Sequence, residues 1–88
     1  MPAVIMYSTG FCPYCVRARM LLDRKGVTYI DIRVDNEPAL RAEMIQRSGR
    51  TSVPQIFIDG RAIGGSDDLH ALERSGELDR LLAAAPGE

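Results

Sequence analysis

Two cysteines stand three positions apart in Phe11-Cys12-Pro13-Tyr14-Cys15, and the chain has no others. Such a pair points first to thiol–disulfide exchange. On a helix, residues i and i+3 share a face at about 5–6 Å, within the window that a disulfide requires. A bridge between them would close almost no loop and constrain the unfolded chain very little, so reactivity is the better reason for the pair. Cys12 falls at the predicted N-cap of a helix, where unpaired backbone N–H groups and the positive end of the dipole favour a thiolate. Pro13 suits the first helical position, because it has no N–H to satisfy there. Cys15, one turn further in, is expected to be less exposed and to attack a mixed disulfide formed at Cys12. The roles expected are therefore Cys12 as nucleophile and Cys15 as resolving thiol. Such a pair can also be half of a zinc site, but structural zinc takes four ligands. Only His70 remains to supply one, and it reads as a surface histidine.

Two other segments could carry chemistry. Val53-Pro54 precedes an apolar run, and a proline entering a strand donates no ladder bond. A cis bond there would turn the chain and expose the Val53 backbone to an extended peptide; the local residues leave cis and trans equally open. Gly64-Gly65-Ser66-Asp67-Asp68 is a glycine turn opening a helix, a potential carboxylate-binding N-terminus. Its own carboxylates could receive an ammonium group, so a ligand with an amino-acid head would match it.

These residues need elements to hold them. Val4–Tyr7 predicts a buried strand ending at Ser8-Thr9-Gly10. The helix from Pro13 carries an apolar stripe through Val16, Ala18, Met20, Leu21 and Leu22 and ends near Gly26. Val27–Val34 predicts a second strand. Asn36-Glu37-Pro38 predicts a helix start with Asn36 as candidate cap, running to Ser48-Gly49. Gln55–Ile58, the turn Asp59-Gly60, and Arg61–Ile63 predict a hairpin. Ser66 is expected to cap a last helix bearing Leu69, Leu72, Leu78, Leu81 and Leu82, interrupted near Ser75-Gly76. Residues 83–88 are expected to form a frayed tail. The order β-α-β-α-β-β-α predicts an α/β fold with a mixed four-stranded sheet flanked by helices.

With 88 residues, residues 1–88 are expected to form a single domain. A net charge of −1 offers no basic excess for nucleic acid. No apolar run approaches the roughly 18 residues of a membrane span, and Met1–Met6 shows neither the charged start nor the small-residue cleavage site of a signal peptide, so none is expected. A cytoplasmic location is therefore expected, with no membrane partner.

Cys12-Pro13-Tyr14-Cys15, Arg50–Ile58 and Ile63–Leu69, in this order, resemble the glutaredoxins, in particular their small bacterial dithiol type. The resemblance spans about residues 3–82. It implies a thioredoxin-like fold, a cis bond before Pro54 and a groove for glutathione as co-substrate, with no metal required. By this resemblance the Val53 backbone, beside Pro54, holds the cysteinyl part of glutathione. Ser66 and Asp67 take its γ-glutamyl head, Arg41 reaches its glycine carboxylate, and Tyr14 flanks the groove. The activity implied is glutathione-dependent reduction of protein disulfides and glutathionylated thiols, by a monomer. Alternatives are a flavoprotein reductase as electron donor, which the Gly64–Asp68 segment disfavours, and an iron–sulfur dimer, which Pro13 disfavours.

The chain departs from the family pattern at three places. Thr9 stands where many relatives have lysine, which is expected to weaken glutathione binding and leave cationic help to Arg41 or Arg17. Ser52 replaces the usual threonine, a mild change. Phe11 puts an apolar ring beside Cys12; it is expected to pack under the loop rather than to serve as a docking surface.

Overall fold

The computed structural model describes residues 3–83. The elements are β1 (Val4–Ser8), α1 (Pro13–Arg24), β2 (Ile30–Arg33), α2 (Pro38–Ser48), β3 (Gln55–Ile58), β4 (Arg61–Gly64), α3 (Ser66–Ser75) and α4 (Glu77–Ala83). The sheet has the strand order β2-β1-β3-β4. β1 pairs with β2 in parallel and with β3 antiparallel, and β3 and β4 form the hairpin. The mixed four-stranded α/β sheet is the one expected.

Side-chain alternation divides the core in two. Val4 and Met6 of β1, with Ile56 and Ile58 of β3, pack against Ala18, Leu21 and Leu22 of α1, Leu69 of α3 and Leu78 of α4. The intervening residues face the other way: Tyr7 and Phe57 meet Met44 of α2 and Val34. The Tyr7 and Phe57 rings contact edge-to-face at 5.7 Å, and the Arg47 guanidinium lies 4.8 Å from the Phe57 ring centre. Arg47 also donates to the Tyr7 hydroxyl, which donates in turn to Glu43. This satisfies the polar end of a fully buried ring.

Five expectations need correction. The second strand is shorter than Val27–Val34, because β1 offers it partners only from Ile5 to Ser8; Val27 and Tyr29 instead pack half-buried on the core. Asn36 does not cap α2. It adopts φ 62°, a left-handed turn conformation that asparagine tolerates, and Glu37 occupies the cap without a side-chain bond. Ser66 is the first helical residue of α3 rather than its cap. The cap is Gly65, whose N–H donates to the Asp68 carboxylate at 2.9 Å. The last helix is two helices, divided at Gly76 with φ 82°. Leu69 and Leu78 still reach one core cluster, so the apolar face continues across the break. Of the expected 83–88 tail, Ala83 belongs instead to the last turn of α4, and residues 84–88 lie outside the described residues.

Candidate active site

Three elements meet at one end of the sheet. β1 ends at Ser8 and its chain turns through Thr9, Gly10 and Phe11 into α1. Cys12 is the N-cap of α1, extended at φ −129°, ψ 113°, and its Sγ accepts the Cys15 N–H at 3.4 Å. That bond occupies one of the donors a helix start leaves unpaired. Pro13 begins the helix, as its missing N–H allows. The Cys12 thiol also lies 3.8 Å from the Val53 carbonyl, as donor.

The two cysteines are free thiols in different surroundings: Cys12 is half-buried and Cys15 fully buried. Burial pushes the Cys15 thiol up to about 11. The Thr9 peptide N–H and the Arg19 charge oppose that rise, and Cys12 adds to it. Cys15 is therefore a protonated reserve nucleophile beside a partly exposed first thiol.

Val53–Pro54 is cis, the alternative that the resemblance implied. Val53 lies before the β3 ladder, which begins at Gln55 opposite Tyr7. The Gln55 side-chain amide is buried and donates to the Ser52 carbonyl at 3.0 Å, bracing the turn.

Beside this turn is a cleft of about 240 Å³. It is lined by Tyr14 of α1, by Arg50 and the turn Ser52–Val53–Pro54, and by the start of α3 from Gly65 to Asp68. The close approach of α3 depends on Gly64, at φ 113°. A Cβ there would lie 2.3 Å from the Asp68 carboxylate. The two aspartates differ in their commitments. Asp68 accepts from the Gly65 N–H and from Arg50 at 2.8 Å, and these two donors lower its pKa. Asp67 is exposed at the rim. The far end of the cleft thus combines a helix N-terminus with an available carboxylate, a match for a group carrying both charges.

Tyr14, Val53, Pro54, Ser66 and Asp67 are brought together as the sequence suggested. Arg41 does not line the cleft; it sits half-buried on α2. Arg50 is the cation that sequence reasoning missed as a site residue. Its partner Asp68 lies eighteen residues away, so only the adjoining Thr51–Pro54 segment hinted at it. Arg17 lines a separate hollow with Met20, Arg24 and His70, and the cation acting on Cys15 is Arg19. His70 bonds within α3, its Nδ1 2.8 Å from the Ser66 carbonyl oxygen. No group of three or more metal-ligating side chains occurs among the described residues.

Phe11 is fully exposed, which overturns the expectation that it packs under the loop. Gly10 takes the inner place. Its N–H donates to Asp35 at 3.2 Å, and a Cβ on it would crowd Arg33 and Asp35. The ring beside it is left in solvent.

The Glutaredoxin family model matches residues 4–63. The chain is 56% identical over 84 residues to a glutaredoxin of Pseudomonas aeruginosa, covering 96% of this chain and all of that one. It is 55% identical over 82 residues to glutaredoxin 3 of Escherichia coli K12, covering 93% and 99%. Among solved structures, glutaredoxin from Brucella melitensis superposes at a TM-score of 0.83 with 54% identity, covering 93% of this chain and 89% of that one. A buckwheat glutaredoxin–glutathione complex gives 0.85 with 34% identity, covering 92% and 76%. With the thioredoxin-like fold and a paired-cysteine helix start already in place, these matches settle the family: the chain belongs to the glutaredoxins, the glutathione-dependent thiol–disulfide oxidoreductases.

Proposed function

We propose that Cys12 and Cys15 reduce protein disulfides and glutathione mixed disulfides by two separable routes. The observation that carries this is the placement of Cys12 at the α1 N-cap with Cys15 buried one turn behind it. Cys12 attacks a client disulfide and forms a mixed disulfide. For a protein client, Cys15 then attacks Cys12 Sγ, releases the reduced client and leaves the Cys12–Cys15 disulfide. For a glutathionylated thiol, Cys12 takes the glutathionyl group and a second glutathione thiolate removes it, without Cys15.

Glutathione lies along the cleft in this reading. The Val53 backbone pairs with its cysteinyl part in strand-like fashion. The N-terminal N–H groups of α3 at Ser66 hold the γ-glutamyl carboxylate, and Asp67 holds the ammonium. Tyr14 walls the groove beside Pro54. Arg50 serves the γ-glutamyl end through Asp68, and the glycine carboxylate extends beyond the cleft to Arg41. Protein clients dock on the exposed Phe11 ring next to Cys12. The protein acts as a monomer in the cytosol; use of its cysteines for exchange instead of stapling fits a reducing compartment.

Activity assays on single variants test the division of roles. Cys15→Ser is expected to retain glutathione-coupled deglutathionylation and to lose most protein-disulfide reduction. Cys12→Ser is expected to lose both. Loss of both activities in Cys15→Ser would refute the two-route reading.

A further inference from the structure

Beneath the cysteine pair lies a polar cluster that the steps above do not use. Side-chain alternation puts Ser8 of β1 on the sheet face that packs against α1, with Val4 and Met6. Asp31, the β2 partner of Met6, reaches the same cluster. Arg19 meets both from α1: its Nε lies 2.9 Å from Asp31 Oδ2 and its Nη2 donates to Ser8 Oγ at 2.9 Å. Ser8 Oγ, fully buried, donates to the other Asp31 oxygen. Two edges of the guanidinium, Nε and Nη2, are thus tied to Asp31 and Ser8, and the Ser8 hydroxyl closes the cluster onto Asp31, so the charge is held in one place. Arg19 is four residues beyond Cys15, on the same face of α1. Ser8 directly precedes Thr9, whose peptide N–H is directed at the Cys15 sulfur.

We propose that Arg19 is a positioning residue for the resolving step: clamped by Ser8 and Asp31, it holds a partly neutralised positive charge one turn below Cys15 and sets how readily that thiol attacks the mixed disulfide. The proposal rests on the dithiol route described above. In that step the Cys15 thiolate attacks Cys12 Sγ and the Cys12–Cys15 bond forms. The bond from Cys12 to the client sulfur breaks, and that sulfur leaves as a thiolate that takes a proton from water. The attacking species is anionic, so a nearby cation favours it and the countercharge on Asp31 moderates the effect.

Among the other titratable groups near this part of α1, Tyr29 feels Arg19, Asp31 and Asp23, and burial chiefly holds its hydroxyl above the ordinary tyrosine range, so it stays neutral until strongly alkaline pH. Cys12 opposes ionisation of Cys15 until it is tied up in the mixed disulfide. Arg33, half-exposed on β2, approaches Asp31 only to 3.9 Å. On α3, which packs against α1, Asp68 is held by Arg50, Glu73 by Lys25, and His70 by the Ser66 carbonyl. Asp67 stands at the cleft rim.

This assignment predicts opposite effects from two substitutions that break the same ion pair. Arg19→Gln removes the cation and leaves Asp31 unpaired, so Cys15 should ionise at higher pH. Asp31→Asn frees the cation, so Cys15 should ionise at lower pH. The test follows the labelled Cys15 Cβ chemical shift against pH in a Cys12→Ser background. Alongside it, the resolving rate is measured by single turnover with Cys12 present. We expect displacements of about half a pH unit in opposite directions. Each changes the thiolate population about threefold, and the accompanying change in nucleophilicity leaves about a twofold change in rate. Arg19→Lys, which keeps the charge, should stay within about twofold of wild type, and Arg19→Gln/Asp31→Asn should fall between the single variants. Should a single variant fail to fold, the Arg19→Lys and double-variant comparisons carry the test. Displacement in the same direction, or none, overturns the proposal, because loss of a merely structural clamp does not invert its sign. Opposite displacements in a protein that cannot reduce protein disulfides support the charge assignment and overturn the dithiol reading.

Discussion

With burial pushing the Cys15 thiol up to about 11, nearly every molecule holds Cys15 protonated at pH 7. The resolving step needs the Cys15 thiolate, which burial still disfavours after Cys12 is tied up in the mixed disulfide, whereas release of glutathione from Cys12 by a second glutathione does not involve Cys15. Single-turnover formation of the Cys12–Cys15 disulfide should therefore keep rising with pH through and above neutrality. A rate that levels off near neutrality would show that Cys15 ionises far more easily than its burial implies. Folding stability carries the same signature. Because the native pKa lies above the unfolded value of 9.0, the native state holds the proton longer, and the contribution is lost as pH rises from about 9 through 11. Phe11 acts at this scale too. Its exposed ring should contribute to client docking and not to chemistry, so Phe11→Ser should raise KM for a protein disulfide several-fold and leave turnover of a glutathionylated small thiol unchanged. Equal effects on both substrates would assign the ring to the glutathione groove instead.

The start of α3 shows how an element prepares the site. Gly64 admits the tight approach, Gly65 begins the helix, and Asp68 reaches back to the Gly65 N–H while holding Arg50. Asp68→Asn weakens both bonds. It should lower stability by about 0.5–1 kcal/mol, a value at the lower end because the carboxylate is nearly half-exposed. Glutathione affinity should also fall, since the N–H groups facing the cleft lose their brace; thermal unfolding with and without glutathione reads both. Undiminished affinity in a destabilised variant would separate Asp68 from the ligand end of the helix. What the sequence made legible here was local. Glycine pairs, first-turn acids and the Asp59-Gly60 hairpin mark their positions by chain chemistry alone. What it hid was partnership across the fold. Arg50 meets Asp68 only after β3 and β4 have folded back, and Arg19 finds Ser8 and Asp31 only across two strands. Ser66 looked like a cap because serine usually serves there, but Asp68 had already taken the Gly65 N–H from within the helix. Phe11 misled for a similar reason: its apolar type argued for burial, while Gly10 and Asp35 had settled which residue turns inward.

Across the whole molecule, the cysteines, the cis Val53–Pro54 turn and the α3 N-terminus come from three distant parts of the chain. The sheet order β2-β1-β3-β4 makes them neighbours, because β1 and β3 are adjacent and deliver both loops to the same end. α1 and α3 then pack on one face, against the shared cluster of Leu21, Leu22 and Leu69. The central claim is that this assembly divides labour between an accessible first thiol and a buried second one. Its most direct test is mass-resolved trapping after exposure of reduced protein to glutathione disulfide. Wild type should end with an internal Cys12–Cys15 bond and no adduct, and Cys15→Ser should accumulate one glutathione on Cys12. An adduct on Cys15 in Cys12→Ser at a comparable rate, or none on Cys12 in Cys15→Ser, would contradict it.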